Sequence, residues 1–176
     1  GEQYCETIEF KGPALARRTN STTSYRYPVR QRNGMTPFVS QSIEETHRLG
    51  EIIGRHVQPG TVIALDGTLG AGKTHLTQGI GLGLDVPAGN VVSPTFTICI
   101  PYNGRLPLLH LDAYRIKSPA EVDQLGLDES VDSGVVLVVE WASRIERLLP
   151  PIDVSVEIEQ TIEGERVFKM TTKSKA

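Results

Sequence analysis

The chain has 176 residues, of which 39% are hydrophobic and 22% charged; this suits one soluble domain with a core of its own. No apolar run approaches the roughly 20 residues of a membrane-spanning helix, and the polar start Gly1–Glu6 does not read as a secretory leader. The net charge of −3 is uneven: residues 1–35 carry six Lys/Arg against three Glu, and the rest carries 12 basic and 18 acidic residues, so the main body is not built to grip nucleic acid alone by neutralising phosphates.

Residues 1–35 show no sustained periodicity and read as a mobile extension, or as an artefact ahead of a true start at Met35. A single domain is expected over 36–172. It opens with a short strand, Thr36–Ser40. Ser42 then caps a helix, with Glu45 three residues on completing a capping box. Leu49, Ile52, Ile53 and Val57 lie near one face of that helix, which Pro59-Gly60 ends. Thr61–Leu65 is an almost unbroken apolar run, as a strand buried on both faces requires.

Next comes Gly67-Thr68-Leu69-Gly70-Ala71-Gly72-Lys73-Thr74, the G-x-x-x-x-G-K-[ST] pattern of a phosphate-binding loop. Its logic is physical. Glycines let successive main-chain N–H groups curl inward around an anion. The helix that follows adds free N–H groups and the positive end of its dipole. Lys73 brings a mobile cation, and the Thr74 hydroxyl is a candidate Mg²⁺ ligand. The helix is expected from Thr74 to Ile80, weakened by Gly81 and Gly83.

A loop follows through Pro87–Asn90 and Ser93-Pro94-Thr95-Phe96-Thr97, whose hydroxyls sit beside a proline-fixed bend. Asn103-Gly104 marks a hairpin between Thr97–Tyr102 and Leu106–Leu111. The second of these strands delivers Asp112 at its carboxyl end, where open parallel sheets bind ligands. Ser118, Pro119 and Glu121 announce a short helix. Gly134–Val139 is the most apolar run and ends in Glu140-Trp141. Asp112 and Glu140 are therefore candidate metal carboxylates. His110 is expected to point away from Asp112 and to be packed or satisfied rather than catalytic. Arg115, Arg144 and Arg147 are candidates for meeting transition-state charge, weighed against solvated salt bridges. A short helix is expected over Ser143–Leu149, then a hairpin of Ile152–Glu159 and Arg166–Thr171.

Cys5 and Cys99 lack metal spacing; Cys99 reads as a buried thiol, and a reducing, cytoplasmic setting is expected. Asp123-Gln124-Leu125-Gly126 matches the D-x-x-G of GTPases, but no N-K-x-D follows, so ATP is the expected nucleotide. Strands and helices interleave without an internal repeat. The expected fold is a three-layer α/β sandwich of the P-loop NTPase kind, with a mixed, mainly parallel sheet and an antiparallel C-terminal edge hairpin.

Four stretches together resemble the TsaE family, the small P-loop ATPases of bacterial tRNA threonylcarbamoyladenosine synthesis. They are Gly67–Thr74, Ser93–Thr97, His110–Arg115 and Val139–Trp141, in order and spacing over about 37–170. The resemblance implies that Gly67 and Gly70–His75 (Gly70, Ala71, Gly72, Lys73, Thr74, His75) wrap the phosphates of ATP. It implies a catalytic set of Lys73, Asp112 and Glu140, and Mg²⁺ held by Thr74, Asp112 and Glu140. It makes Ser93–Thr97 a nucleotide-sensitive loop and brings Ile43 to the adenine. It also implies partners, TsaD and TsaB, with tRNA reached only through their complex. The runner-up readings are a small-molecule kinase and a nucleotide-gated adaptor without turnover. Thr68 stands where the family usually has an acidic residue, and His75 replaces a common Thr or Ser.

Overall fold

The centre of the molecule follows from its two most apolar segments. Val62–Gly67 forms β2, buried over its first four residues, and Val136–Glu140 forms β5, buried throughout. They pair in parallel, Val62 opposite Leu137 and Leu65 opposite Glu140. The computed structural model describes residues 36–87 and 89–173. The expected N-terminal extension and the last three residues lie outside them.

The other strands are β1 (Thr36–Ser40), β3 (Cys99–Tyr102), β4 (Leu108–Asp112), β6 (Val154–Gln160) and β7 (Arg166–Thr172). The helices are α1 (Ile43–His56), α2 (Lys73–Gly83), α3 (Pro119–Asp123) and α4 (Leu127–Asp132). The seven strands form one sheet in the order β1-β7-β6-β2-β5-β4-β3. Its middle, β6-β2-β5-β4, is parallel. The β6–β7 hairpin and β3 are antiparallel additions on either side, and β1 adds one more antiparallel strand beyond β7.

Alternation along the parallel strands makes two cores. Ile63, Leu65, Leu108, Val136 and Val138 face α1 and α2, whereas Val62, Ala64, Leu111, Leu137 and Val139 face α3, α4 and the segment after Trp141. This is the three-layer α/β arrangement.

The main departure from the sequence reading is how α1 meets α2. The α1 residues buried in full are Thr46, Gly50 and Gly54, spaced four apart. Gly50 and Gly54 oppose Gly79 and Gly83, and α2 runs on through its glycines. A Cβ on Gly50 would sit 2.4 Å from the Leu76 carbonyl oxygen, and one on Gly79 would sit 2.3 Å from that of His47. Two backbones in near contact recover by dispersion what mid-helix glycine loses in propensity. Leu49, Ile53 and Val57 flank the seam and join the core; Ile52 lies outside that cluster. Arg105, in the β3–β4 connection, donates to the Gly83 and Gly54 carbonyls and so closes the carboxyl ends of both helices.

Local signals resolve in detail. Ser42 Oγ accepts from the Glu45 amide at 3.1 Å, but the Glu45 carboxylate reaches back to the Gln41 amide at 2.7 Å, one residue beyond a standard capping box. The Ser143–Leu149 helix is instead two 3-10 turns, Ala142–Arg144 and Glu146–Leu148. Pro150 keeps Leu149 extended, and the Asp66 carboxylate takes the Ser143 amide and hydroxyl, pinning the first turn to β2. Asp123–Gly126 spans the last residue of α3 and the turn into α4, with Gly126 at φ 58°.

Substituting Gly79 with Ala should lower the free energy of unfolding by about 1–3 kcal/mol despite the helix-favouring side chain, because it overpacks the seam. Urea denaturation of the pure protein measures this, and an unchanged or raised midpoint would contradict the seam.

Candidate functional site

Strand β2 ends at Gly67, and the chain loops through 68–72 before α2 starts at Lys73. Gly70 (φ 79°) and Gly72 (φ 107°) occupy the left-handed half of backbone space. A Cβ on Gly72 would also press the Arg166 side chain at 3.0 Å. No side chain caps α2, so its first-turn N–H groups remain for an anion. This is the strand, loop and helix order that the motif requires.

Lys73 is 5% exposed. Its ammonium donates to the carbonyls of Gly67 at 2.7 Å and Thr68 at 2.9 Å, and lies 3.7 Å from the centre of the Trp141 ring. Burial pushes its pKa below the usual lysine range, while the charges of Glu140, Asp112 and Asp66 pull it back.

Parallel β4 and β5 set Asp112 directly opposite Glu140, and each carboxylate is 3% exposed. Glu140 Oε1 accepts the Thr74 hydroxyl at 2.9 Å. That hydroxyl spends its proton on Glu140 and so offers only lone pairs to a cation. Asp112 accepts from the Thr95 hydroxyl at 2.7 Å and the Tyr114 amide at 2.9 Å. With the Thr95 proton on Asp112, the Ser93 hydroxyl is the donor in its 2.7 Å bond to Thr95. The structure thus brings Lys73, Thr74, Asp112 and Glu140 together, with the Ser93–Thr97 loop tied to Asp112.

Two of the expected positions stand apart. The His75 imidazole turns toward α1, bonding Gln78 at 3.1 Å beside the His47 ring, so only its backbone belongs to the loop. Ile43 is 40% exposed at the start of α1. That end of α1 is tied to the loop through the β6–β7 hairpin: Gln41 donates to Glu165, and the neighbouring Arg166 lies against Gly72. Arg115 stacks over Phe96 at 4.6 Å and Arg144 over Tyr114 at 5.5 Å. Cys99 is half-buried, which pushes its thiol pKa up. A cavity of about 260 Å³ between α2 and residues 86–91 is bounded by none of residues 67–75.

One expectation is overturned. His110 does not point away from Asp112; residues two apart on a strand share a face. His110 is fully buried, with Nε2 2.8 Å from Glu140 Oε1 and Nδ1 without a partner. An orphaned buried polar atom costs about 1–3 kcal/mol. The two-residue spacing was the available signal. Arg166 and Asp66 carried none, because a strand-start arginine and a strand-end aspartate are ordinary alone.

Trp141 (φ 59°) and Ile98 (φ 68°) hold left-handed conformations that non-glycine residues avoid. They follow β5 and the Ser93–Thr97 loop, so two of the three such non-glycine residues described (Asp85, φ 60°, is the third) flank the strands that carry the carboxylates.

Gly72→Ala should destabilise the fold by about 1–2 kcal/mol through its backbone conformation. Adding Arg166→Ala should not restore the loss, as it would if the clash dominated; urea midpoints of the single and double variants decide.

Comparison with known proteins points to one family. The family model described as "Threonylcarbamoyl adenosine biosynthesis protein TsaE" matches residues 40–168. The TsaE protein of Treponema pallidum is 38% identical over 128 residues, covering 73% of this chain and 94% of the relative. That of Bacillus subtilis is 42% identical over 129 residues, covering 73% and 80%. The solved structure of Bacillus subtilis YdiB superposes with a TM-score of 0.65 at 34% identity, covering 80% of this chain and 86% of that one. With the family model matched over residues 40–168 and these relatives at 38% and 42% identity, the chain belongs to the TsaE family.

Proposed function

We propose that this protein is a Mg²⁺-dependent ATPase that supports TsaD and TsaB in forming threonylcarbamoyladenosine in tRNA. The observation that carries the reading is the Thr74–Glu140 hydrogen bond, which joins the phosphate loop to a buried carboxylate on the neighbouring strand. It puts a hydroxyl and a carboxylate where the outer phosphates of a loop-bound nucleotide would lie.

The donor set fits magnesium: one hydroxyl and two carboxylates, all hard oxygen. Among the described residues no group of three or more His, Cys, Asp or Glu side chains could hold a metal. Magnesium suits such a half-built site, because it keeps waters and shares its ligands with substrate phosphates. Thr74, Glu140 and Asp112 would hold it. When bound, it neutralises charge on the phosphates and lowers the pKa of its water.

The remaining work falls to this chain. The main-chain amides of 70–75 bind the phosphates, and Lys73 leaves the Gly67 and Thr68 carbonyls for them. Asp112 fixes the Ser93–Thr97 loop through Thr95, so a shift at the carboxylates is passed to an exposed segment ending near Phe96. That coupling suits an ATPase whose turnover is read by partner proteins. The acidic balance of residues 36–176 suits contact with tRNA only through the complex. No helix among the described residues is long and apolar enough to cross a membrane, and a cytoplasmic setting is part of the proposal.

ATP hydrolysis should fall at least about tenfold in Lys73→Ala and in Glu140→Ala. Steady-state phosphate release, with and without TsaD–TsaB and tRNA, measures it. Full activity in both variants would overturn the reading, and stimulation of the wild type by the partners would place its turnover within their complex.

A further inference from the structure

His110 has no part in the chemistry so far, yet its placement is specific. It lies on β4 two residues before Asp112, and its register neighbours Ile100 and Val138 are aliphatic. Its Nε2 is 2.8 Å from Glu140 Oε1, the oxygen that also takes the Thr74 hydroxyl. An ionised carboxylate has no proton to give, so both bonds are donated to it, and the imidazole carries its hydrogen on Nε2.

Two donors on one oxygen fix the carboxylate. The terminal torsion of a glutamate is otherwise broad and soft. Turning it would break both bonds, and Glu140 Oε2 makes no hydrogen bond among the described residues. The orphaned Nδ1 argues against a packing role. An aliphatic side chain of similar size would fill the place without stranding a polar atom.

We infer that His110 is a positioning residue: its Nε2–H holds Glu140 Oε1 so that Oε2 is presented in one orientation to the cation or its water. The inference rests on the Mg²⁺-ATPase reading. It concerns how a carboxylate is held and requires no change in the charge of the histidine.

The test compares His110→Gln, His110→Asn and His110→Leu in the full chain. Gln places an amide N–H near the ε position, Asn near the δ position, and Leu supplies neither. Three quantities are read: ATP hydrolysis across a Mg²⁺ titration, ATP binding in EDTA by Trp141 fluorescence, and the urea midpoint. Loss of an outer hydrogen bond to a metal ligand costs about 10–100-fold in metal affinity or activity. That loss is expected in the Leu and Asn variants, as a lower kcat or a higher half-saturating Mg²⁺ concentration. ATP binding in EDTA should stay near wild type, and Gln should recover most of the activity. In a Glu140→Gln background, His110→Leu should have little further effect.

Wild-type Mg²⁺ dependence in the Leu and Asn variants would overturn the inference while leaving the ATPase reading intact. So would equal losses in Gln and Asn, or losses that only track ATP binding in EDTA and the urea midpoint. Absence of Mg²⁺-dependent turnover in the wild type, alone and with TsaD–TsaB and tRNA, would overturn both.

Discussion

The structure depends on keeping an ammonium and two carboxylates out of water at one end of a sheet. Lys73, Asp112 and Glu140 are each exposed by 5% or less. Ions so placed are costly unless paired and hydrogen-bonded. Each has partners: two carbonyls and an indole face for Lys73, a hydroxyl and an amide for Asp112, a hydroxyl and an imidazole for Glu140. The opposed charges relieve one another further. A cluster balanced in this way tolerates little rearrangement, so the elements that deliver it must be rigid.

That rigidity comes from the layers beneath. Parallel pairing of β4 and β5 fixes Asp112 against Glu140, and pairing of β2 with β5 fixes Glu140 against the start of the loop. On the helical side, α2 is held by α1 across the glycine seam, so the helix that presents Lys73 and Thr74 has little room to slide. Close backbone contact is intolerant of side-chain volume but leaves few alternative packings. The rim is different: Ile98 and Trp141 keep strained backbones where the exposed loop and β5 leave the core.

Much of this was legible in the amino-acid order. The phosphate loop, the apolar runs that become β2 and β5, the carboxylates at strand ends and the two hairpins all follow from spacing and composition. Other features were hidden for physical reasons. The seam between α1 and α2 is made of glycine, and a search for apolar stripes reads glycine as interruption. The two 3-10 turns after Trp141 depend on Asp66, far away in sequence. Alternation puts His110 on the face of Asp112, but its bond to Glu140 depends on β5, a neighbour that alternation alone does not reveal. His75 follows the motif in sequence, yet its ring belongs to the α1 side through Gln78.

At one edge of the sheet, β1 pairs with β7 among the described residues: Phe38 faces Phe168 across the ladder, and their rings sit 6.2 Å apart. More than a hundred residues separate the two partners along the chain. On a ribosome, which delivers the chain from its amino end, residues 36–40 emerge early and wait until residues 166–172 follow before they can dock. The β1–β7 ladder therefore closes only late in synthesis, and it is a long-range contact of the kind that slows folding.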